Sequence, residues 1–279
     1  MVNPYPGLFF DAVAWQRLDA RQQMLFIARA LHIVHPSWRF AGITAANIYG
    51  LEYRRNLHDG STFIASHQSP KASKNPKLHY VSCNELEGKT YGELPVVSTA
   101  EALVECGARY PFRDVLPMYD SAFRLGLASA SEVKGIGEKR GADYLRIQRL
   151  LNYADSNSEN GGESFCRGTI IEEGFPVPKL QVEFPKPDGS TYRVDFLYHL
   201  RDGRDVAVEF DGMGKYVDSD MTKGRPIEEI INDEQQRERF LLRDCGISEV
   251  VRLRYRDVAQ RKVMIQKLLS AKIPCVKSA

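Results

Sequence analysis

The stretch Val206-Ala207-Val208-Glu209-Phe210-Asp211-Gly212 reads as an apolar strand that ends in two carboxylates and a glycine. A further acid lies upstream in Tyr192-Arg193-Val194-Asp195-Phe196, and the turn-forming Arg201-Asp202-Gly203-Arg204 separates the two runs. Asp195 stands about as far before that turn as Glu209 stands after it, which makes the two cross-strand neighbours roughly 5 Å apart. An apolar strand has no structural need for acids at its exit, and clustered carboxylates repel one another unless a cation neutralises them.

Working outward, a helix is expected over 163–172, a strand over 180–184, the turn Lys186-Pro187-Asp188-Gly189-Ser190 and a strand over 192–200. Downstream come a long polar helix containing 228–242 and a strand over 250–255. Helix, three strands, helix, strand is an α/β order with the sheet enclosed by helices. Before this region the chain reads as mainly helical with a small sheet. Apolar side chains recur at helical spacing over 15–34 and Pro36 ends that pattern; a short helix over 44–51, strands over 61–66 and 78–83, a Ser98-capped helix over 99–106, and helices over 115–125 and 142–154 follow. The polar run Asp155-Ser156-Asn157-Ser158-Glu159-Asn160-Gly161-Gly162 has no apolar period and reads as a linker between a domain over 1–155 and one over 156–279. The class is therefore α/β, α+β over the whole chain.

A chain of 279 residues suits two cores. No apolar run reaches the roughly 20 residues that span a bilayer, and no secretory pattern opens the chain, so a cytoplasmic protein without a membrane partner is expected. Five scattered cysteines without CxxC spacing suggest neither a disulfide framework nor a zinc site. The net charge of +2 is uneven: residues 156–234 hold 9 basic and 17 acidic side chains, and 235–279 hold 11 basic and 4 acidic. An acidic site beside a basic arm suits a metal next to a polyanion, and equally a solvated basic face.

Two carboxylates at cross-strand spacing can share one Mg²⁺, which takes oxygen ligands, keeps waters and binds phosphates. Asp195 and Glu209 are the candidate ligands, Glu163 at the start of its helix a third, and Lys215 a group to orient or deprotonate the attacking water. His199, four residues past Asp195, is a candidate neighbour of that site.

These residues carry a family resemblance. Glu163-Ser164-Phe165-Cys166-Arg167, Gln181, Val194-Asp195-Phe196, Val208-Glu209-Phe210-Asp211-Gly212 and Gly246 with Val250-Val251-Arg252 resemble, in order and spacing, the very-short-patch-repair-like endonucleases of the PD-(D/E)XK superfamily. The resemblance implies a restriction-endonuclease-like mixed sheet, Mg²⁺ (or Mn²⁺) on Asp195 and Glu209, assistance from Glu163, and Gln181 beside the site. Asp211 occupies the place of the superfamily's lysine, and Lys215 the place of a histidine often found after the Asp-Gly pair. In the first half, Ile43-Thr44-Ala45-Ala46 with Gly50-Leu51, Val97-Ser98-Thr99-Ala100-Glu101-Ala102-Leu103 and Tyr119-Asp120-Ser121-Ala122-Phe123-Arg124 resemble AbiEi-type antitoxin-like regulators. That likeness implies a regulatory or DNA-recognising domain.

Period-two alternation would place Arg252, Arg254 and Arg256 on one strand face, to bind phosphate or to pair with helix acids such as Glu238. Lys71, Lys74 and Lys77 in a polar loop are either phosphate contacts or ordinary surface lysines. Gly135-Ile136-Gly137 with Lys139 and Arg140 fits a plain interhelical turn better than a phosphate-holding hairpin. The expected function is metal-dependent DNA endonuclease activity, a hydrolase acting on ester bonds. The alternatives are a non-catalytic DNA-binding transcriptional regulator on a degenerate nuclease fold, and a module that binds a toxin-like protein partner.

Overall fold

The computed structural model describes residues 1–66, 73, 75–83, 90–211 and 227–276, with backbone alone at 55 and 227–231. The chain divides into two compact units, Met1–Ser156 and Asn157–Ala279. The α/β expectation is borne out: a helical N-terminal region is followed by a mixed sheet.

In the first unit, β1 (Val2–Tyr5) and β2 (Leu8–Phe10) form an antiparallel ribbon, followed by α1 (Ala12–Gln16) and α2 (Ala20–Val34). The single helix expected over 15–34 is thus two. Asp19 accepts from the Gln22 amide at 2.9 Å while the Gln22 side chain accepts from the Asp19 amide at 2.9 Å, a reciprocal cap that starts a new helix. Next come α3 (Gly42–Ile48), the parallel pair β3 (Thr62–Ser66) and β4 (Leu78–Ser82), and the short pair β5 (Thr90–Tyr91) and β6 (Leu94–Pro95). Helices α4 (Thr99–Arg109), α5 (Phe112–Arg124), α6 (Ala130–Gly137) and α7 (Tyr144–Tyr153) complete the unit. The Gly135-Ile136-Gly137 run forms the last turn of α6 rather than a turn between helices. A Cβ on Gly137 would stand 3.0 Å from Ile147, so the glycine lets α6 lie close against α7.

In the second unit, α8 (Gly161–Glu172) leads into β7 (Lys179–Pro185), β8 (Thr191–His199) and β9 (Asp205–Asp211); α9 (Ile227–Asp244) leads to β10 (Ile247–Arg254), and α10 (Tyr255–Ala259) and α11 (Arg261–Ser270) follow. The strand order is β10-β9-β8-β7, with β9 and β10 parallel and the other pairs antiparallel. Phe196, Tyr198, Val206, Val208, Phe210, Val251 and Leu253 share a core with Phe165, Cys166 and Ile170 of α8, Val258 of α10, and Met264 and Leu268 of α11. Val194, Leu197, Ala207 and Ile247, with Val182, Phe184 and Val250, pack on Leu241 of α9 from the other face.

That division breaks strand alternation within the β7–β8 pair. Leu180 and its cross-strand partner Phe196 belong to the α8 side, whereas Val182 and its partner Val194 belong to the α9 side, although residues two apart normally share a face. The change of face falls at Gln181, whose φ of +51° lies in the left-handed region, and at Asp195 opposite it.

The expectation that Arg252, Arg254 and Arg256 share one strand face is corrected. The Asp257 carboxylate accepts from the Arg254 amide at 2.9 Å, which ends β10 and starts α10, so Arg256 lies on a helix. Lys267 clamps that junction by donating to Asp257 at 2.7 Å and to the Arg252 carbonyl at 2.8 Å.

Candidate functional site

Glu163 is placed by its own helix start. Asn160 caps α8, its Oδ1 accepting from the amides of Gly162 at 2.9 Å and Glu163 at 3.0 Å. Gly162 is what allows this turn to approach the sheet: a Cβ there would stand 2.8 Å from Phe210 Cε1 on β9. The Glu163 carboxylate, only 5% exposed, accepts from Gln181 Nε2 at 2.8 Å, from the Glu159 amide at 3.1 Å and from Asn160 Nδ2. Burial and the neighbouring charge of Asp195 outweigh those hydrogen bonds and push the carboxyl up to about 7. The Cys166 thiol on the same helix is likewise pushed up, first by burial and then by Asp195 and Glu163. Gln181, in its left-handed conformation, therefore holds Glu163, and the charge of Asp195 opposite Gln181 reaches the same carboxyl.

Asp195 bridges to β9, where its Oδ2 accepts from the Phe210 amide at 2.8 Å. Asp195 and Glu209 are the next residues outward from the last registered pair, Phe196 with Val208. Glu209 is 5% exposed, and Arg237 of α9 donates to its Oε1 at 2.7 Å. The same guanidinium nitrogen also donates to the Arg193 carbonyl. Asp211 closes β9, buried, opposite Arg254 in the parallel register. Gly212 and Lys215 lie outside the described residues.

The donor set is oxygen only, which suits Mg²⁺ or Mn²⁺ rather than a softer ion. Among the described residues no three His, Cys, Asp or Glu side chains form a group ready to hold a metal. The residues fit a divalent cation in donor type and in charge, because Glu163, raised to about 7 first by burial and then by Asp195, lies near negative charge that a cation would relieve. Asp195 and Glu209 would hold it, with Glu163 behind Asp195.

The basic candidates are scattered. Arg252 pairs with Glu238 at 3.2 Å and Glu234 at 3.6 Å on α9. Burial lowers its pKa, and the charges of Glu238, Glu234 and Asp211 more than reverse that. Arg254 and Arg256 are exposed. Lys77, in the first unit, donates to the Pro4 carbonyl at 2.7 Å, and Lys71 and Lys74 lie outside the described residues. His199 pairs with Asp205 at 2.6 Å, at the far end of β8, about 13 Å of strand from Asp195.

Two residues of this neighbourhood escaped the sequence reading. Asn160 was readable as an N-cap three residues before a glutamate. Arg237 was readable only as a charge four residues before Leu241, on the helix face that meets the sheet.

Among the described residues, no helix is long and apolar enough to cross a membrane. No family model matches the chain. Two uncharacterised proteins of Mycobacterium tuberculosis, one from strain CDC 1551 / Oshkosh and one from strain ATCC 25618 / H37Rv, are each 33% identical to it over 160 residues, 56% of this chain. The chain spans about half the length of these curated relatives, 56% in each case. Among solved structures, the crystal structure of the RV2827C protein from Mycobacterium tuberculosis is similar at 16% identity and a TM-score of 0.35, over 59% of this chain and 66% of that one.

Proposed function

We propose that the second unit is a metal-dependent nuclease that hydrolyses DNA phosphodiester bonds, acting in the cytoplasm, with the first unit contributing DNA recognition. One observation carries the reading: Gln181 holds the buried Glu163 carboxyl, which feels the charge of Asp195, and Asp195 is bonded to the strand that carries the buried Glu209 and Asp211. Buried acids so placed weaken a fold unless they are paired, hydrogen-bonded or serve a bound cation. Mg²⁺ or Mn²⁺ on Asp195 and Glu209 would supply Lewis acidity and a water of lowered pKa. Gln181 fixes the Glu163 carboxylate, Glu163 sets the charge beside Asp195, and the Phe210 amide holds the Asp195 rotamer. Lys215 is assigned to the attacking water. Incubation of supercoiled and linear DNA with Mg²⁺ or Mn²⁺ tests the proposal: nicking by the wild type that Glu209→Ala abolishes supports it, and equal or absent cleavage in both removes it.

Two features favour a second reading, a non-catalytic DNA-binding regulator: Asp211 stands where the resembled family keeps a lysine, and Arg237 already neutralises Glu209. That reading expects salt-sensitive, metal-independent DNA binding that survives Asp195→Ala. Absence of any DNA affinity would favour the toxin-binding module instead.

A further inference from the structure

The Glu209 carboxylate is buried on the α9 side of the sheet, where an unpaired anion would be costly. Among the described residues Arg237 supplies a cation to it, reaching from α9 across 28 residues of sequence to Oε1 at 2.7 Å. The charged neighbours of this guanidinium among the described residues are acids and one further cation, Arg252. Glu234 and Glu238 flank it on α9, and both face Arg252 of β10 rather than Arg237. The arginine is held incompletely: one nitrogen serves both Glu209 and the Arg193 carbonyl, and its buried Nε has no hydrogen-bond partner among the described residues. The side chain is still 28% exposed, so a path to solvent exists for it.

Arginine keeps its proton at every accessible pH. Glu209 therefore has a permanent positive partner on Oε1, and a divalent cation taken up by the same carboxylate would lie beside that guanidinium. Two cations cannot share one buried carboxylate without strong mutual repulsion.

We propose that Arg237 is an exchangeable counter-ion of Glu209, which holds the carboxylate in the metal-free protein and competes with the divalent cation for it. The inference rests on the reading of Asp195 and Glu209 as metal ligands. Arg237 is thereby a positioning residue that sets the metal affinity of the site. The guanidinium keeps Glu209 buried without a metal, and entry of the cation moves it off Oε1 toward solvent.

Direct binding of Mn²⁺ alone, followed by calorimetry or by electron paramagnetic resonance of the free ion, tests this without reference to cleavage. Arg237→Gln is expected to bind Mn²⁺ about tenfold more tightly than the wild type, within the usual range for two linked ligands. Arg237→Lys, which keeps the charge, is expected to stay near the wild type. Glu209→Gln is expected to lose the binding in either background. Wild-type binding of Mn²⁺ with equal or weaker binding by Arg237→Gln would overturn the inference and leave the metal reading standing. Failure of the wild type and of Arg237→Gln alike to bind Mn²⁺ would overturn both. A second measurement covers a variant that does not fold: in the wild type, saturating Mg²⁺ is expected to shift the nuclear magnetic resonance of the Arg237 Nε–H, assigned by its loss in Arg237→Lys. An unmoved signal in the presence of bound Mg²⁺ would overturn the inference.

Discussion

The Phe210 amide donates to Asp195 Oδ2 at 2.8 Å, so the acid on β8 is tied to the backbone beside the acid on β9. One bond thereby sets where the Asp195 carboxylate sits relative to Glu209. It also satisfies a backbone donor two residues past Val208, the last β9 residue registered with β8. Asp195→Ala leaves that amide without its acceptor and is expected to cost about 1–3 kcal/mol in urea unfolding, whereas Asp195→Asn, which keeps an oxygen there, costs less. Equal losses for the two would show that the amide bond does not hold the residue.

Glu163 makes stability depend on pH. Its folded carboxyl is raised from an ordinary 4.5 to about 7, so the folded state binds the proton more readily than the unfolded chain. Its contribution is therefore fully present below pH 4.5 and is lost as pH rises through about 7. Glu163→Gln, neutral throughout, is expected to flatten the fall in urea midpoint across that window. An unchanged profile would place the carboxyl in a less buried setting.

Gly162 sets the distance between α8 and β9. Gly162→Ala pushes a methyl against the Phe210 ring and is expected to lower stability by about 1–3 kcal/mol. Phe210→Leu in the same chain should recover part of that loss, because the clash is with the ring edge. Thermal unfolding of both single variants and the double variant measures the coupling, and strict additivity would disprove the contact.

Gln181 combines a left-handed backbone with a side-chain bond to Glu163. Gln181→Val places a β-branched residue where only glycine and asparagine rest easily and is expected to cost about 2 kcal/mol. Gln181→Gly relieves the backbone and loses only the amide, so its loss in chemical unfolding should be the smaller.

Arg254 and Arg256, both exposed, are expected to carry DNA affinity, and Arg252, held between two acids, is not. Arg254→Ala and Arg256→Ala should each reduce the salt slope of DNA binding by about one. Arg252→Ala should leave the slope unchanged, because Glu234 and Glu238 already neutralise that side chain. Equal slopes for all three variants would move the DNA surface elsewhere.

Much of the second unit was legible because its signals are local. Alternation over 192–199, the Asp188-Gly189 and Asp202-Gly203 turns and the acids at the exit of β9 all act within a few residues of themselves. The helices α10 and α11 were not legible, since β10 ends at a capture of the Arg254 amide by Asp257 that depends on Lys267 reaching back from α11.

The sequence alone therefore determined the order of elements from α8 to β10, the hairpin that aligns Asp195 with Glu209, and the oxygen-only character of the candidate residues, because periodicity and turn chemistry are read within a strand or a turn. Tertiary structure alone decided that Gln181 and Asp195 mark the change of sheet face, that α8 delivers Glu163 to them, and that Arg237 neutralises Glu209. Those outcomes arise from packing and charge pairing between residues as far as 28 positions apart, where the nearest neighbour in space leaves no periodic trace in the chain.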